Sequence, residues 1–277
     1  MNPTITKPTL ILGGTGKTGR RLAERLTARG LPVRIGSRSG TPPFDWENKA
    51  TWEPALDGVG AVYISYYPDL AVPGAADAVG AFSRLAVECG VRRLVLLSGR
   101  GETEAQRAEE MLKATCADWT ILRCAWFSQN FSEGFLVESL VEGEVALPVG
   151  NVGEPFVDAD DIAEAAFAVL TRQGHIGQLY ELAGPRLLSF ADAVAEIGRA
   201  AGRDIRFKRI SNAEFTAAIA EHELPAEFAW LLNELFTEVL DGRNESLTDG
   251  VERVLGRAPK DFSAYATETA STGIWSN

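Results

Sequence analysis

The stretch Leu10-Ile11-Leu12-Gly13-Gly14-Thr15-Gly16-Lys17-Thr18-Gly19-Arg20 constrains the rest of the chain more than any other. Three apolar residues predict a short buried strand that runs straight into glycines at 13, 16 and 19. Arg20 to Arg29 follows as an amphipathic helix with Leu22, Ala23 and Leu26 on one face. In a strand–turn–helix unit the first glycine permits the tight turn and the second admits a pyrophosphate close to the backbone. The third lets the helix pack on the strand. Phosphate oxygens would then meet backbone N–H groups at the positive end of the helix. Thr15, Lys17 and Thr18, between the glycines, join the expected cofactor-binding set.

A second strand reads over Val33 to Arg38, with Ser37 and Arg38 at its carboxyl end, after a helix stop at Gly30. Arg38 stands nineteen residues beyond Gly19, about where such a fold meets the adenosine ribose. An acid there would accept from the 2′-hydroxyl of NAD. Arg38 instead offers a planar set of donors to a 2′-phosphate, with Ser37 as a neutral helper, so the expected cofactor is NADP(H). The competing reading of Arg38 is an ordinary surface arginine. Pro42 and Pro43 exclude a helix and shorten any third strand. Asp45 and Trp46 border either the adenine or only the rim of the core.

Strand and helix then alternate. Gly60 to Ser65 reads as a buried strand, with Ser65 at its carboxyl end among the cofactor contacts. Tyr66 and Tyr67 follow, and Tyr66 is expected in the substrate pocket; simple packing is the alternative. Val72 to Cys89 is an expected helix and Leu94 to Ser98 a strand, with Ser98 and Gly99 beside the cofactor. This alternation predicts a Rossmann-like, doubly wound parallel sheet with a small, mostly helical substrate-side lobe. The expected division is a dinucleotide-binding core over residues 1–184 and a lobe over 185–277, with roughly 125–155 serving the substrate side.

Composition excludes several classes. A net charge of −11 opposes non-specific nucleic-acid binding. No apolar run approaches the roughly 20 residues of a bilayer span, and Pro3, Lys7 and Pro8 do not make a signal peptide. Cys89, Cys116 and Cys124 are odd in number and far apart, which suits free thiols in a reducing cytoplasm. With only His175 and His222, and no C-x-x-C, no metal site is legible. The segment Phe156 to Ile162 carries Asp158, Asp160 and Asp161, and Asp160 is expected to cap a helix.

Chemistry is marked by what is missing. The tyrosines are 63, 66, 67, 180 and 265, and none has a lysine four residues on, so no Tyr-x-x-x-Lys pair is present. No G-x-S-x-G or H-E-x-x-H motif replaces it. The catalytic residue is therefore unassigned. In the last third, Ser189 and Ser211 open helices. Pro225 opens another that runs through Leu240 with Phe228, Leu231, Leu232, Leu235, Phe236 and Val239 at helical spacing. That stripe reads as core, with a substrate-pocket wall as the alternative.

In order, GGTGKTG, VRIGSRS, FDW, RLVLLSG, AEEMLKATCADWTILR, WFSQNF and FVDADDIA resemble the NmrA-like branch of the atypical short-chain dehydrogenases. The likeness covers most of residues 9–172 and returns in the tail DGVERVLGRAP. SRSGTPPFDW looks most like the festuclavine-dehydrogenase-like proteins and their bacterial relatives. The resemblance implies an NADPH-dependent reductase of quinones, azo dyes or iminium ions. Its alternative is a non-catalytic NADP(H) redox sensor of the NmrA type that acts through a protein partner. It also implies a monomer or homodimer acting on a small molecule, with Phe127 and Asn130 walling the nicotinamide pocket and Trp126 bounding the substrate cleft beside them; a loop or helix cap is the competing role for Asn130. Related reductases often carry Lys or His one turn before the glutamate matched by Glu109, and here that position is Ala105.

Overall fold

A computed structural model describes residues 6–221 and 224–276. Pro3 and His222, which entered the readings above, lie outside them. In chain order the strands are β1 (Thr9–Leu12), β2 (Val33–Gly36), β3 (Ala61–Ile64), β4 (Arg93–Gly99), β5 (Asp118–Cys124), β6 (Glu144–Leu147), β7 (Gln178–Leu182) and β8 (Arg206–Arg209). The helices are α1 (Lys17–Ala28), α2 (Trp52–Leu56), α3 (Ala75–Glu88), α4 (Thr103–Lys113), α5 (Leu136–Glu142), α6 (Ala159–Thr171), α7 (Phe190–Ala201), α8 (Asn212–Glu221), α9 (Ala226–Glu234), α10 (Gly250–Leu255) and α11 (Phe262–Ala270).

The chain forms two compact units. The first holds residues 1–124, 159–182 and 250–257, and the second holds 125–158, 183–249 and 258–277. A single cut near residue 184 misses one return: α10 joins β7 and α6 in the first unit. That return needs a glycine, because a Cβ at Gly250 would collide with the Glu181 backbone.

In the first unit six parallel strands run in the order β2-β1-β3-β4-β5-β7. Strands such as Leu10-Ile11-Leu12 and Val62-Tyr63-Ile64 are buried along their length, as a parallel sheet covered by helices requires. Helix α1 packs with α6, and α3 with α4. Between β2 and β3 the prolines leave neither helix nor strand at Pro42 and Pro43: after β2 the chain folds back on itself, with Gly40 and Phe44 both donating to the Ser37 carbonyl. Because β2 and β3 flank β1, the strand order reverses at the carboxyl end of β1. Open α/β sheets bind their ligands at such a reversal.

The second unit pairs β6 with β8 in parallel and surrounds them with helices. Its core is aromatic: Phe131, Phe156, Phe190, Phe236, Phe262 and Trp275 are all buried. Trp275, uninformative in the sequence, is fully buried and donates its indole N–H to the Phe131 carbonyl at 2.8 Å. Both expected capping serines act. Ser189 forms a capping box with Asp192, and Ser211 exchanges bonds with Glu214. The helix expected from Pro225 to Leu240 departs from expectation. Helix α9 ends at Glu234, and Leu235–Val239 forms a π-helical turn. Phe236 and Val239, in that turn, face the core and are 2% and 4% exposed.

Candidate active site

The glycine turn is built as its sequence requires. Gly13 sits at φ +65°, a backbone region that side chains disfavour. A Cβ on Gly19 would collide with the Gly13 backbone, so the third glycine brings α1 against the turn. Gly16 is the N-cap of α1. No side chain caps that end, and no acid lies in its first turn. A Cβ at Gly16 would meet only the Gly13 carbonyl oxygen, at 3.2 Å. Uncapped backbone donors at a glycine-lined helix start fit a pyrophosphate.

The other expected cofactor residues in this unit fall into two groups. Ser65 lies beside the turn, since a Cβ on Gly13 would meet its Oγ at 3.1 Å. Lys17 is half-buried at the first position of α1, and Thr15 is exposed. Arg38 is exposed just beyond β2, and among the described residues it has no ion-pair or hydrogen-bond partner. Its neighbour Arg34, by contrast, is tied to the carbonyls of Ala55 and Asp57.

The second group is engaged within the protein. The Thr18 hydroxyl accepts from the buried Tyr63 phenol at 3.0 Å, leaving its backbone N–H as the group it can offer. Burial pushes that phenol far above its ordinary pKa. Asp45 accepts from the Glu47 N–H, and its carbonyl accepts from the Trp52 indole. Trp46 and Tyr66 face each other with centroids 4.8 Å apart, and Trp46 also meets Phe44, Trp52 and Phe82. Both aromatic rings are thus packed on one another. Tyr67 is 70% exposed.

At the carboxyl ends of β4, β5 and β7 lies a charged network that sequence reasoning did not find. Ser98 donates to Glu109 at 2.6 Å. Arg123 holds the same carboxylate with Nε on Oε1 at 2.9 Å and Nη2 on Oε2 at 2.5 Å. Its Nη1 reaches Glu181 at 2.8 Å, and Arg100 lies 3.5 Å from the other Glu181 oxygen. Glu109 is fully buried and Ser98 nearly so. The pairing with Glu109 holds the Arg123 guanidinium above its ordinary pKa. The only sequence signal was an arginine closing an otherwise apolar strand beside a serine-ended one. Ala105, one turn before Glu109, is fully buried and brings no polar group.

Two further groups lie nearby in the same unit. The Glu102 carboxylate fills the space a Gly99 side chain would need. Burial pushes up the carboxyl of Asp69 in the same unit. Cys124 is a buried free thiol, raised first by burial and then by Glu102.

Tyr66 lies in the first unit; the other expected substrate-pocket residues, Trp126, Phe127 and Asn130, lie in the second. The Trp126 N–H donates to the buried carboxylate of Glu154 at 3.1 Å, and its carbonyl accepts from Val157 at 2.9 Å. Its ring meets Phe190 and Phe236 edge-on. Phe127 precedes the 3₁₀ turn Ser128–Phe131, and its carbonyl receives the Asn130 N–H. Asn130 is half-buried in that turn. Asp160, expected to cap α6, lies inside its first turn and accepts from Arg25 of α1 at 2.8 Å. The neighbouring Asp158 accepts from Gln129 at 3.0 Å, and Asp161 from Arg257 at 2.7 Å. The helix starts at Ala159, two residues earlier than a cap at Asp160 implies, and this leaves Asp160 in the first turn to pair with Arg25.

No family model matches the chain. It is 32% identical to the uncharacterized oxidoreductase YesF of Bacillus subtilis, over 97% of this chain and 98% of that protein. It is also 32% identical to a festuclavine dehydrogenase of Aspergillus fumigatus, over 94% and 96%. The chain belongs to the NmrA-like family of atypical short-chain dehydrogenases. It is an NAD(P)H-dependent oxidoreductase of that family. Among solved structures its fold matches that of the Citrobacter triphenylmethane reductase complexed with NADP(H). The TM-score is 0.77 at 18% identity, covering 95% of this chain and 99% of that one. Among the described residues no helix is long and apolar enough to cross a membrane.

Proposed function

We propose that this NmrA-like oxidoreductase uses NADPH to reduce a small, apolar, electron-poor acceptor, quinone-like or an imine or iminium. The observation that carries the choice of acceptor is the bond from Ser98 to Glu109. The hydroxyl at the end of β4 already gives its proton to a buried carboxylate that Arg123 also holds. With Ala105 buried one turn away, this strand end supplies no proton to a substrate alkoxide. A plain ketone needs such a donor, worth roughly 10²–10⁴ in rate. An iminium needs none, because hydride neutralises a charge already present. A quinone spreads the incoming charge over its ring, and water can protonate it.

NADPH, when bound, supplies the hydride from its nicotinamide ring. The uncapped start of α1 binds the pyrophosphate, and Arg38 pairs with the 2′-phosphate. Isotope transfer tests the reaction. With nicotinamide deuterated at the reactive carbon, N-methyl-3,4-dihydroisoquinolinium should yield an amine with one deuterium on carbon, and cyclohexanone should yield no product. Tight NADPH binding without transfer to any acceptor supports the sensor reading instead.

A further inference from the structure

One polar atom of the second unit stands apart. The backbone of Trp126 is satisfied on both sides, by Glu154 and by Val157. Its indole Nε1, however, is buried and has no hydrogen-bond partner among the described residues. Leaving a buried donor unpaired is costly, so such groups invite a ligand. The contrast with Trp275 is direct, because that indole donates to a carbonyl at 2.8 Å.

The surroundings of Trp126 suit a flat apolar molecule. Phe190 and Phe236 present their rings edge-on, with centroids 5.5 and 5.1 Å from the indole. Phe236 in turn meets Phe135 at 5.7 Å, and Phe135 is 37% exposed. A file of aromatic rings therefore leads from the surface of this unit to the unpaired N–H. Phe236, which covers the indole, sits on the π-helical turn Leu235–Val239. Turns of that kind often occur at functional sites.

We propose that the Trp126 indole N–H recognises the acceptor substrate, which is then a planar ring compound presenting a lone pair, such as a quinone carbonyl. This inference rests on the reductase reading and sharpens it. An iminium nitrogen has no lone pair and cannot accept the bond. In quinone reduction the nicotinamide C–H bond breaks and the hydride carries its electron pair to the acceptor. NADPH is oxidised and the quinone reduced, with the added charge ending on a carbonyl oxygen that then takes a proton from water. The indole keeps its own proton, and its N–H strengthens its bond as that charge grows.

The test uses Trp126→Phe, which keeps an aromatic ring and removes the donor. Rates are measured with NADPH and two acceptors. The first is duroquinone, fully substituted so that the exposed thiols Cys89 and Cys116 do not add to it. The second is N-methyl-3,4-dihydroisoquinolinium. The ratio of kcat/KM for duroquinone to that for the iminium should fall about ten- to hundred-fold in the variant. An unchanged ratio overturns the inference, since lost packing would affect both acceptors alike. A second readout needs no turnover. In protein with ¹⁵N-labelled indoles and saturating NADP⁺, the resonance missing from Trp126→Phe should move downfield with duroquinone. A resonance that stays in place, as for an N–H committed to a phenyl face, overturns it too. If the wild type oxidises NADPH with neither acceptor, the reductase reading fails, and the indole response alone decides whether Trp126 is a ligand donor.

Discussion

Arg123 grips the fully buried carboxylate of Glu109 with two nitrogens, Nε on one oxygen at 2.9 Å and Nη2 on the other at 2.5 Å. The pair ties the end of β5 to α4 and engages the hydroxyl that ends β4. Its energetics are asymmetric, because removing one partner strands the other charge in a dry site.

Arg123→Met should therefore destabilise the protein by about 3–5 kcal/mol, read from urea unfolding. Arg123→Met with Glu109→Leu should recover most of that loss, since the fully buried carboxylate goes with its partner. A single variant costing less than about 1 kcal/mol, the range of exposed ion pairs, would show that water reaches Glu109.

The three glycines of the first turn should separate cleanly. At Gly16 a side chain has room apart from the Gly13 carbonyl, so Gly16→Val should unfold cooperatively near the wild-type midpoint yet lose dinucleotide binding. At Gly19 a Cβ collides with backbone, so Gly19→Ala should lower both stability and cofactor affinity. Calorimetric titration and thermal melts check both. NADPH affinity retained in Gly16→Val would mean that the pyrophosphate lies elsewhere.

Arg38 should set the choice between cofactors. Its guanidinium is exposed and unpartnered among the described residues, so Arg38→Ala removes only what it offers a ligand. NADPH affinity should fall roughly ten- to hundred-fold, the worth of one charge-assisted bond, with NADH affinity little changed. Equal wild-type affinities for the two cofactors would contradict this role.

Asp261 links stability to pH in the second unit. Arg186 donates to both its oxygens, at 2.7 and 2.9 Å, and holds its carboxyl well below the usual carboxylate range. A carboxyl depressed in the folded state stabilises above its unfolded pKa of about 3.9, and that stability is lost as pH falls through the folded value. The side chain is 35% exposed, so solvent screening keeps the effect near 1 kcal/mol or less. Asp261→Asn keeps a capping oxygen for the Ser263 N–H, and its deficit at neutral pH should shrink below about pH 4. A deficit that grows in acid would reverse the assigned sign.

Much of the fold was legible because its signals are local. Leu10 to Gly19 dictates strand, turn and helix within one segment, and Ser189 and Ser211 announce helix starts through residues three positions on. What stayed hidden depends on distant partners. Nothing near Trp275 in the sequence points to Phe131, and nothing near Glu109 points to Arg123 and Glu181. Asp160 had every local mark of a cap, but Arg25 lies 135 residues away in sequence. The π-turn at Leu235 likewise answers to the core it fills, and a stripe of apolar residues spaced three and four apart reads equally well as uninterrupted α-helix.

The most direct measurement is the loss of NADPH absorbance against a panel of quinones, cyclic iminium ions and plain ketones at equal concentration. Quinones or iminium ions should be reduced and plain ketones left untouched, the gap being at least about 10², the worth of a missing proton donor. Rapid reduction of a plain ketone would contradict the commitment of Ser98 to Glu109 and reveal a proton donor elsewhere in the chain.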